Sequence, residues 1–555
     1  MIGNPPWDRL KMQEVEWFAA RKLEIALAQR AADRKRMIEN LRKAKDPLYG
    51  QYEVAVQHAD MALELARDGG EYPLLGRGDI NIYSLFVERA QRLIKPDGIA
   101  GLLVPSGIAS DKGAADFSAR SRQPRALSRC SISRIAAFTF PTCTTVLKFC
   151  VLVATGAKRN AGDAQCGFFL SGEDDLADPE RCFTLKPDDF ALVNPNTGTA
   201  PIFRARRDAG MTTGIYKRLP VLVRRDGDGE VAESVWPVRY FTMFHMTNDS
   251  NFFWTRERLE AHRAYPVPGS RWQKGKQQFV SLYEGKMVQA FDHRAASVVV
   301  KAENIHRPGQ PKPATLDQHQ DPSWTPTPQF WVDAAAVSES NPATWSLGFK
   351  EITSVTNSRT MIAVVAPTAG FGNKLPLLLE QHNGPGTGFA PFLVANFNSI
   401  IYDFVTRQKV HGQTLNLYIL EQLPVVPEKL YAQKFGKRKA SDIVRDHVLR
   451  LSYTAHDLKD FARDMGHVDR KTGEVLPPFK WDEEERAHLR ARLDALYFLL
   501  YGISDRDDVR YILDTFPIVR EQDEKAHDGR FRTRDLVLAY MNALEAGDTE
   551  TIVAL

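Results

Sequence analysis

The chain begins with a segment that leaves its backbone few choices, the run Gly3-Asn4-Pro5-Pro6-Trp7. A proline holds φ near about −65° and removes a backbone N–H, so the pair stiffens the loop and ends any strand that precedes it. Glycine, asparagine and proline are also ordinary turn formers. A tight turn after a strand is therefore the plainest interpretation, and any chemical role has to be weighed against it.

The side chains of this loop are suited to holding an aromatic amine. The exocyclic amine of adenine is a poor nucleophile because its lone pair is delocalised into the ring. The Asn4 side-chain oxygen and the Pro5 carbonyl can accept its two protons, and Trp7 can stack on the base. Extruding a base costs a few kcal/mol, and stacking of ~1–3 kcal/mol offsets part of that. Asn4, Pro5, Pro6 and Trp7 are the candidate catalytic residues.

Composition bounds the class of protein without selecting one. A chain of 555 residues predicts roughly three or four domains at about 150 residues each. The 73 Lys+Arg against 69 Asp+Glu leave a net charge of only +4, so nucleic-acid binding would have to use local patches. The five cysteines form no CxxC pair, which disfavours a zinc site and a disulfide framework. No apolar run approaches membrane-spanning length and no signal peptide is recognisable, which predicts a reducing, cytoplasmic location.

The first 155 residues predict part of a parallel or mixed α/β sheet. Residues 10–45 predict one long polar helix, and a second helix follows over 52–66 and stops at Gly69-Gly70. Apolar residues at helical spacing over 82–93, then a breaker and the apolar run 99–104, predict a helix feeding a buried strand. Further strands are predicted at 132–138 and 146–154.

The rest of the chain is less regular until its last part. Residues 160–265 show no clear period and predict a linking region of mixed structure. Residues 270–425 are rich in aromatics and short strands and close with a predicted helix over 397–405. Residues 440–555 are strongly charged and predict helices.

Several motifs together resemble the γ-class adenine-specific DNA methyltransferases fused to a target-recognition domain, as in type IIG restriction-modification enzymes. Similar methylases occur in BREX and DISARM phage-defence systems. In the catalytic part the resemblance rests on GNPPW (3–7), GDINIYSLFVERAQRLIKPDGIAGLLVPSGI (78–108) and FPTCTTVLKFCVLVATG (140–156). Downstream it rests on NPNTGTAPIFRARRD (194–208), YEGKMVQAFDHR (283–294), TNSRTMIAVVAP (356–367), NSIIYDFVTRQKVHGQTLNLYILEQLPVVP (398–427) and RARLDALYFLLYGISDRDDVRYILDTFPIV (490–519).

The resemblance implies a partial Rossmann-like methyltransferase sheet, then a mixed α/β target-recognition domain and a helical C-terminal region. The expected segments are 1–160 for the C-terminal half of the catalytic domain, 161–265 for the linking region, 266–430 for target recognition and 431–555 for the helices. In the family, a Gly-rich turn and an acidic residue that hold S-adenosylmethionine precede the Asn-Pro-Pro motif. Here only Met1 and Ile2 precede Gly3.

This departure puts the cofactor site in doubt. The expected function is adenine methylation in double-stranded DNA, with S-adenosylmethionine as cofactor and a partner polypeptide carrying the cofactor-binding half. Two alternatives stay open. One is a non-catalytic DNA-binding specificity component in which the loop is only structural, and the other is a truncated remnant.

Candidate DNA-binding side chains lie in the recognition motifs, where polar residues are flanked by aromatics. Arg and Lys bind guanine in the major groove and Asn binds adenine. The candidates are Lys286, His293, Arg294, Asn357, Arg359 and Lys374. Each one singly is more readily a solvated or structural group, but as a set they favour DNA binding. Phe138 and Phe140 are candidates for the pocket of the flipped base, against a plain core role. Glu284-Gly285-Lys286 has the acidic-x-Lys pattern of some nucleases, but no upstream Asp completes it, so no metal site is predicted.

Overall fold

A computed structural model describes residues 1–28, 31–110, 112–117, 127–134, 148–156, 158–159, 163–170, 172, 174–227, 229–300, 309–381, 388–410 and 412–554. The chain forms two compact units, Met1–Gly214 and Ile215–Leu555, and their boundary falls within the helix Arg206–Arg218. The finer division into four segments stays a prediction.

The first unit contains a six-stranded mixed sheet in the order β1-β2-β4-β3-β5-β6. Its strands are β1 Ile2–Gly3, β2 Ile99–Pro105, β3 Leu127–Arg134, β4 Lys148–Thr155, β5 Ala164–Leu170 and β6 Cys182–Leu185. The pairs β1/β2 and β3/β5 are parallel, whereas β4 runs antiparallel to both of its neighbours and β6 runs antiparallel to β5. Four strands therefore point the same way. The strand predicted at 132–138 covers the end of β3, and residues 135–138 lie outside the described residues.

Helices separate β1 from β2. They are α1 Glu14–Ala19, α2 Leu23–Ala26, α3 Ala31–Lys43, α4 Pro47–Asp68 and α5 Ile82–Leu93. The single long helix predicted over 10–45 is wrong, because the chain turns twice there. The N–H groups of Arg21 and Lys22 both donate to the Phe18 carbonyl, and Phe18 joins Ile25 and Ile38 in one buried cluster. Packing around that cluster outweighs the helical propensity of the connecting residues.

The helices predicted over 52–66 and 82–93 and the strand predicted over 99–104 are confirmed, and the strand predicted over 146–154 corresponds to β4 from residue 148 on, since 146 and 147 lie outside the described residues. Helix α4 begins after the N-cap Asp46, whose side chain accepts from the Leu48 N–H, and ends at Gly69, followed by Gly70 with φ +75°. Helix α5 and β2 coincide with the predicted helix and strand. The unit also contains α6 Gly107–Ser110, α7 Pro187–Val193 and α8 Arg206–Arg218, which continues into the second unit.

The second unit contains two larger sheets and three two-stranded ones. One larger sheet has the order β10-β11-β12-β15, with β18 pairing to β12, and the other has the order β17-β16-β19-β9. The strands are β7 Val223–Arg225, β8 Val231–Ser234, β9 Val238–Phe241, β10 Tyr265–Val267, β11 Arg271–Lys274, β12 Gln277–Tyr283, β13 Ala296–Val300, β14 Gly309–Pro313, β15 Trp331–Asp333, β16 Trp345–Phe349, β17 Ala363–Pro367, β18 Gly370–Phe371, β19 Leu377–Glu380, β20 Lys434–Phe435 and β21 Arg438–Lys439.

Helices dominate the last part of the second unit, as predicted. Those of the unit, besides the end of α8, are α9 Arg256–Ala261, α10 Leu316–Gln320, α11 Ala334–Ser340, α12 Ala390–Asn398, α13 Ile400–Lys409, α14 Leu417–Leu420, α15 Ala440–Ser452, α16 Lys459–Asp464, α17 Glu483–Tyr501, α18 Arg506–Asp514, α19 Pro517–Ala526 and α20 Arg532–Glu545. The single helix predicted over 397–405 is two, because Ser399 interrupts it. Its hydroxyl accepts from the Tyr402 N–H and caps α13.

Among the described residues, no helix is long and apolar enough to span a lipid bilayer.

Candidate functional site

The loop Asn4 to Trp7 lies at the carboxyl end of β1, a parallel strand. Gly3 pairs with Leu102 of β2, so the loop leaves the sheet beside the carboxyl end of that neighbouring strand. In open α/β sheets, ligands bind outside the carboxyl ends of the parallel strands. The loop residues alternate in exposure: Pro5 is buried, while Asn4 and Pro6 are exposed. Solvent therefore reaches Asn4, and the buried ring of Pro5 anchors the backbone that carries it.

Trp7 is held against the sheet. Its indole Nε1 donates to the Leu103 carbonyl at 3.4 Å, and its ring lies 6.5 Å from that of Phe149, with an angle of 27° between the planes. The indole is half-buried. The Pro5 ring and the Trp7 indole thus fix the two ends of the loop. Phe138 and Phe140 lie outside the described residues.

The candidate DNA-binding residues of the second unit have varied surroundings, beginning with the two lysines. The Lys286 ammonium lies 3.0 Å from Glu284 Oε2 and donates to the Gly309 carbonyl. The Lys374 ammonium lies 3.2 Å from Glu351 Oε1. The structure does bring these two segments together, since a Cβ on Gly285 would lie 3.0 Å from the Lys374 carbonyl. Both lysines are therefore neutralised by a carboxylate of the same chain.

Lys350 lies beside this pair of segments. A Cβ on Gly285 would lie 3.8 Å from its Cγ. Burial lowers the pKa of Lys350 to about 8. Desolvation disfavours the charged form of an amine, which is why its pKa falls.

His293 and Arg294 are buried, and both side chains form hydrogen bonds within the chain. His293 Nε2 lies 2.9 Å from Asp457 Oδ1. Burial by itself raises the pKa of the Asp457 carboxyl, but the charge and hydrogen bond of His293 outweigh it and hold that pKa below its ordinary value. Arg294 is 0% exposed. Its guanidinium donates to backbone carbonyls of five residues: Gln318, His319, Asp321, Trp324 and Thr454.

This arrangement gives Arg294 a structural role, because both terminal nitrogens of its guanidinium donate to carbonyls of the same chain. His293 is likewise engaged with Asp457. Direct DNA contact by these two side chains stays a prediction from sequence.

Arg359 is also engaged within the chain. Its Nε donates to Asp403 Oδ2 at 3.0 Å, and its Nη2 donates to the Asn398 carbonyl. Asp403 is fully buried and also accepts from the N–H groups of Thr360 and Met361. Asp494 is also buried and interacts electrostatically with Arg359 and Asp403. Burial raises the pKa of the Asp494 carboxyl to about 6.

Asn357 is exposed, and the side chain of Lys374 is 45% exposed. The Asn357 carbonyl accepts from Arg407 Nη2. The predicted set as a whole therefore does not form one exposed face.

The structure presents a different polar surface, the strands β10, β11 and β12. Tyr265, Gln273 and Gln278 are direct cross-strand neighbours. Tyr265 is 53% exposed and Gln278 is exposed, with Gln273 partly so. Because side chains alternate along a strand, Arg271 lies on the same face. We call Tyr265, Arg271, Gln273 and Gln278 the open face.

The opposite face of these strands is covered. Trp272 and Phe279 are buried there and pack with Leu259 of α9 and with Trp331. A two-residue turn, Gly275-Lys276, joins β11 to β12, and Gly275 has φ +58°. Positive φ at the first turn position is what glycine permits. This packing supports one side of the hairpin. The other side is exposed near the turn only, because Val280 and Leu282 on that side of β12 are buried.

Sequence reasoning missed this surface, although one signal was present. Residues 261–283 contain no Asp or Glu, and they contain Arg263, Arg271, Lys274 and Lys276. None of these four cations forms an ion pair within the part of the chain that the structure describes.

A cleft of about 650 Å³ adjoins the open face at Arg271. Its lining includes Arg271, Tyr283, Thr325, Asp457, Lys459 and Asp460. Acidic groups thus occur in the cleft and not on the open face. Among the described residues, no group of three or more His, Cys, Asp or Glu side chains is placed to hold a metal ion.

No protein-family model and no curated protein matches the sequence. Among solved structures, the chain is similar to the Type IIL restriction-modification enzyme MmeI in complex with DNA, with 12% identity over 82% of this chain and 54% of that chain, and a TM-score of 0.38. The type IIG restriction endonuclease BpuSI is 9% identical over 80% of this chain and 51% of its own length, with a TM-score of 0.26.

The ATP-dependent Type ISP restriction-modification enzyme LlaBIII bound to DNA is 9% identical over 80% of this chain and 29% of its own length, with a TM-score of 0.34. The chain thus spans about half or less of each of these proteins.

Proposed function

We propose that the chain forms part of an adenine-specific DNA methyltransferase of a restriction-modification or phage-defence system. The observation that carries the proposal is the exposed Asn4 beside a buried Pro5, at the carboxyl end of β1 and next to β2. The resemblance of residues 3–7 and of the motifs around them supports the same assignment.

The chemistry assigned to this loop is positioning. The Asn4 side-chain oxygen and the Pro5 carbonyl accept the two protons of the adenine amine, which localises the nitrogen lone pair for attack. Catalysis of this kind rests on holding the reacting atoms near ~3 Å and in line. Two prolines and the anchored Trp7 keep the acceptors in one arrangement.

S-adenosylmethionine would supply the methyl group. The described residues after β1 are Asn4-Pro5-Pro6-Trp7, and those after β2 are Ser106-Gly107. Neither is the Gly-rich turn that typically binds such a nucleoside at a helix N-terminus. The ends of β1 and β2 therefore do not build its pocket. We propose that a partner polypeptide carries the cofactor-binding half.

A DNA-binding specificity component without catalysis is the second candidate. The anchoring of Trp7 favours it, because an indole that donates to Leu103 and packs on Phe149 explains the loop without any bound base. The two candidates differ in methyl transfer and agree in DNA binding.

The substitution Asn4→Ala separates them. The chain is expressed together with the products of adjoining reading frames in a host free of adenine methylation, and methyladenine is measured in recovered DNA. Loss of one well-placed hydrogen-bonding group costs about 100- to 1,000-fold in such sites, so we expect a fall of that size with duplex binding retained. Asn40→Ala, an exposed asparagine on α3, is the matched control.

Two results contradict the methyltransferase proposal. One is methylation by Asn4→Ala at the parent level. The other is a parent chain that binds duplex DNA but yields no methyladenine with any adjoining product, which establishes the specificity component instead.

A further inference from the structure

The open face of β10, β11 and β12 has the make-up of a surface that contacts base edges. Arginine and glutamine are the side chains that pair with guanine and adenine in the major groove. Arg271, Gln273 and Gln278 lie on one side of neighbouring strands, with Tyr265 at the edge. The Gln273 amide donates to the Gly275 carbonyl, an exposed contact that a base edge can replace.

The charges around this face favour a polyanion. Lys274 ends β11, Lys276 lies in the turn and Arg263 precedes β10, all without an ion-pair partner in the described chain. Asp457 and Asp460 line the cleft to which Arg271 also contributes, away from the turn. Asp333 accepts from Gln277 at 2.5 Å on the covered side, and Glu260 of α9 is paired with Arg256. Phosphate binding releases counterions, so unpaired cations of this kind raise affinity for DNA.

The width of the hairpin at its turn also fits the major groove. Neighbouring strands lie about 4.8 Å apart, and the major groove is about 12 Å wide and admits a two-stranded ribbon. Beyond the Gln273–Gln278 pair, only β11 and β12 continue to the turn. The turn and the Lys274–Gln277 pair are therefore narrow enough to enter the groove, while β10 still lies beside β11 at Gln273 and Arg271 and stays at the mouth of the groove.

We propose that the hairpin Arg271–Tyr283 binds in the major groove of duplex DNA and determines sequence preference through Arg271, Gln273 and Gln278, with Lys274 and Lys276 on flanking phosphates. The inference rests on the proposed DNA-directed function and assigns it side chains other than those predicted from sequence, within the predicted recognition segment 266–430. A contact to a base edge and a contact to a phosphate leave different signatures.

The test uses the full-length chain and a pool of randomised duplexes, with binding measured at two salt concentrations. We expect Gln273→Ala/Gln278→Ala to lose preference at one or two base-pair positions, by about 5- to 150-fold, with the salt dependence unchanged. We expect Lys274→Ala/Lys276→Ala to weaken all duplexes alike and to reduce the salt slope by about 1 for each lysine.

Matched controls come from the same unit. Lys471→Ala/Lys480→Ala removes the same charge from exposed lysines in a different part of the unit, and Gln277→Ala alters the covered side of the same hairpin. Both should keep the sequence preference and salt slope of the parent. Thermal denaturation followed by tryptophan fluorescence should be unchanged in the hairpin variants, because the substituted side chains are at the surface.

The inference is overturned if Gln273→Ala/Gln278→Ala selects the same sequences as the parent, or if the hairpin lysines change the salt slope no more than the control lysines. A parent chain that binds no duplex at low salt also overturns it, since this surface lies wholly within the chain. These outcomes are separate from methyl transfer, which depends on Asn4. Normal preference in the hairpin variants with Asn4-dependent methylation would reject the hairpin and keep the enzyme.

Discussion

Basic side chains in two regions of the second unit have opposite surroundings. In the motifs singled out from sequence, the cations are already bonded within the chain: Lys286 to Glu284, Arg294 to backbone carbonyls, Arg359 to Asp403 and Lys374 to Glu351. In the hairpin region, the cations have no such partner among the residues that the structure describes: Arg263, Arg271, Lys274 and Lys276.

The difference shows that the type of a residue and the motif around it do not reveal whether its charge is available. A guanidinium that is desolvated inside a protein must be matched by acceptors there. Arg359 and the two terminal nitrogens of Arg294 meet that condition, so removal of either side chain leaves buried acceptors without a donor. The hairpin cations remain in water, where they contribute little to stability and can exchange their counterions for phosphate.

The largest effect that would sharpen this comparison is expected at Arg294. Arg294→Ala leaves several buried carbonyls without a donor, and we expect a loss of about 4 kcal/mol in the stability of the second unit. Thermal denaturation followed by tryptophan fluorescence measures it, since seven of the nine tryptophans lie in that unit. Arg271→Ala, the same change on the open face, should leave stability near that of the parent. If Arg294→Ala and Arg271→Ala lose the same amount of stability, the distinction between bonded and exposed cations is wrong.

A smaller effect is expected at Arg359. Removing it leaves the buried Asp403 carboxylate with fewer partners, at a cost of about 3 kcal/mol. The control is Arg256→Ala, which breaks the exposed pair with Glu260, worth about 0.5 kcal/mol. Denaturation midpoints compare the two, and duplex binding by folded Arg359→Ala should match the parent. A selective loss at one base-pair position, with stability intact, would instead restore the base contact predicted from sequence.

The smallest effect is expected at Lys374, whose side chain is 45% exposed and paired with Glu351. Lys374→Ala should cost less than about 1 kcal/mol of stability and should change duplex affinity less than Lys276→Ala does. Binding titrations at low salt compare the two lysines directly. If Lys374→Ala weakens DNA binding more than Lys276→Ala, the region predicted from sequence contacts DNA after all.

Local patterns predicted several elements well. The spacing of apolar residues over 82–93 corresponds to α5, the run after it corresponds to β2, and Gly69 ends α4. Such elements depend on neighbours in sequence, and a turn or cap acts within a few residues. The long helix expected over 10–45 failed because Phe18, Ile25 and Ile38 form a cluster that requires the chain to fold back.

The sequence by itself determined the Asn4 to Trp7 loop, because two prolines restrict the backbone whatever surrounds them, and the absence of acidic residues over 261–283. Tertiary structure alone decided which cations are available. Asp403 lies 44 residues from Arg359, and Asp457 lies 164 residues from His293. The packing of distant elements determines which partners lie at such separations. It therefore also determines whether a charged side chain is paired within the chain or left exposed to solvent.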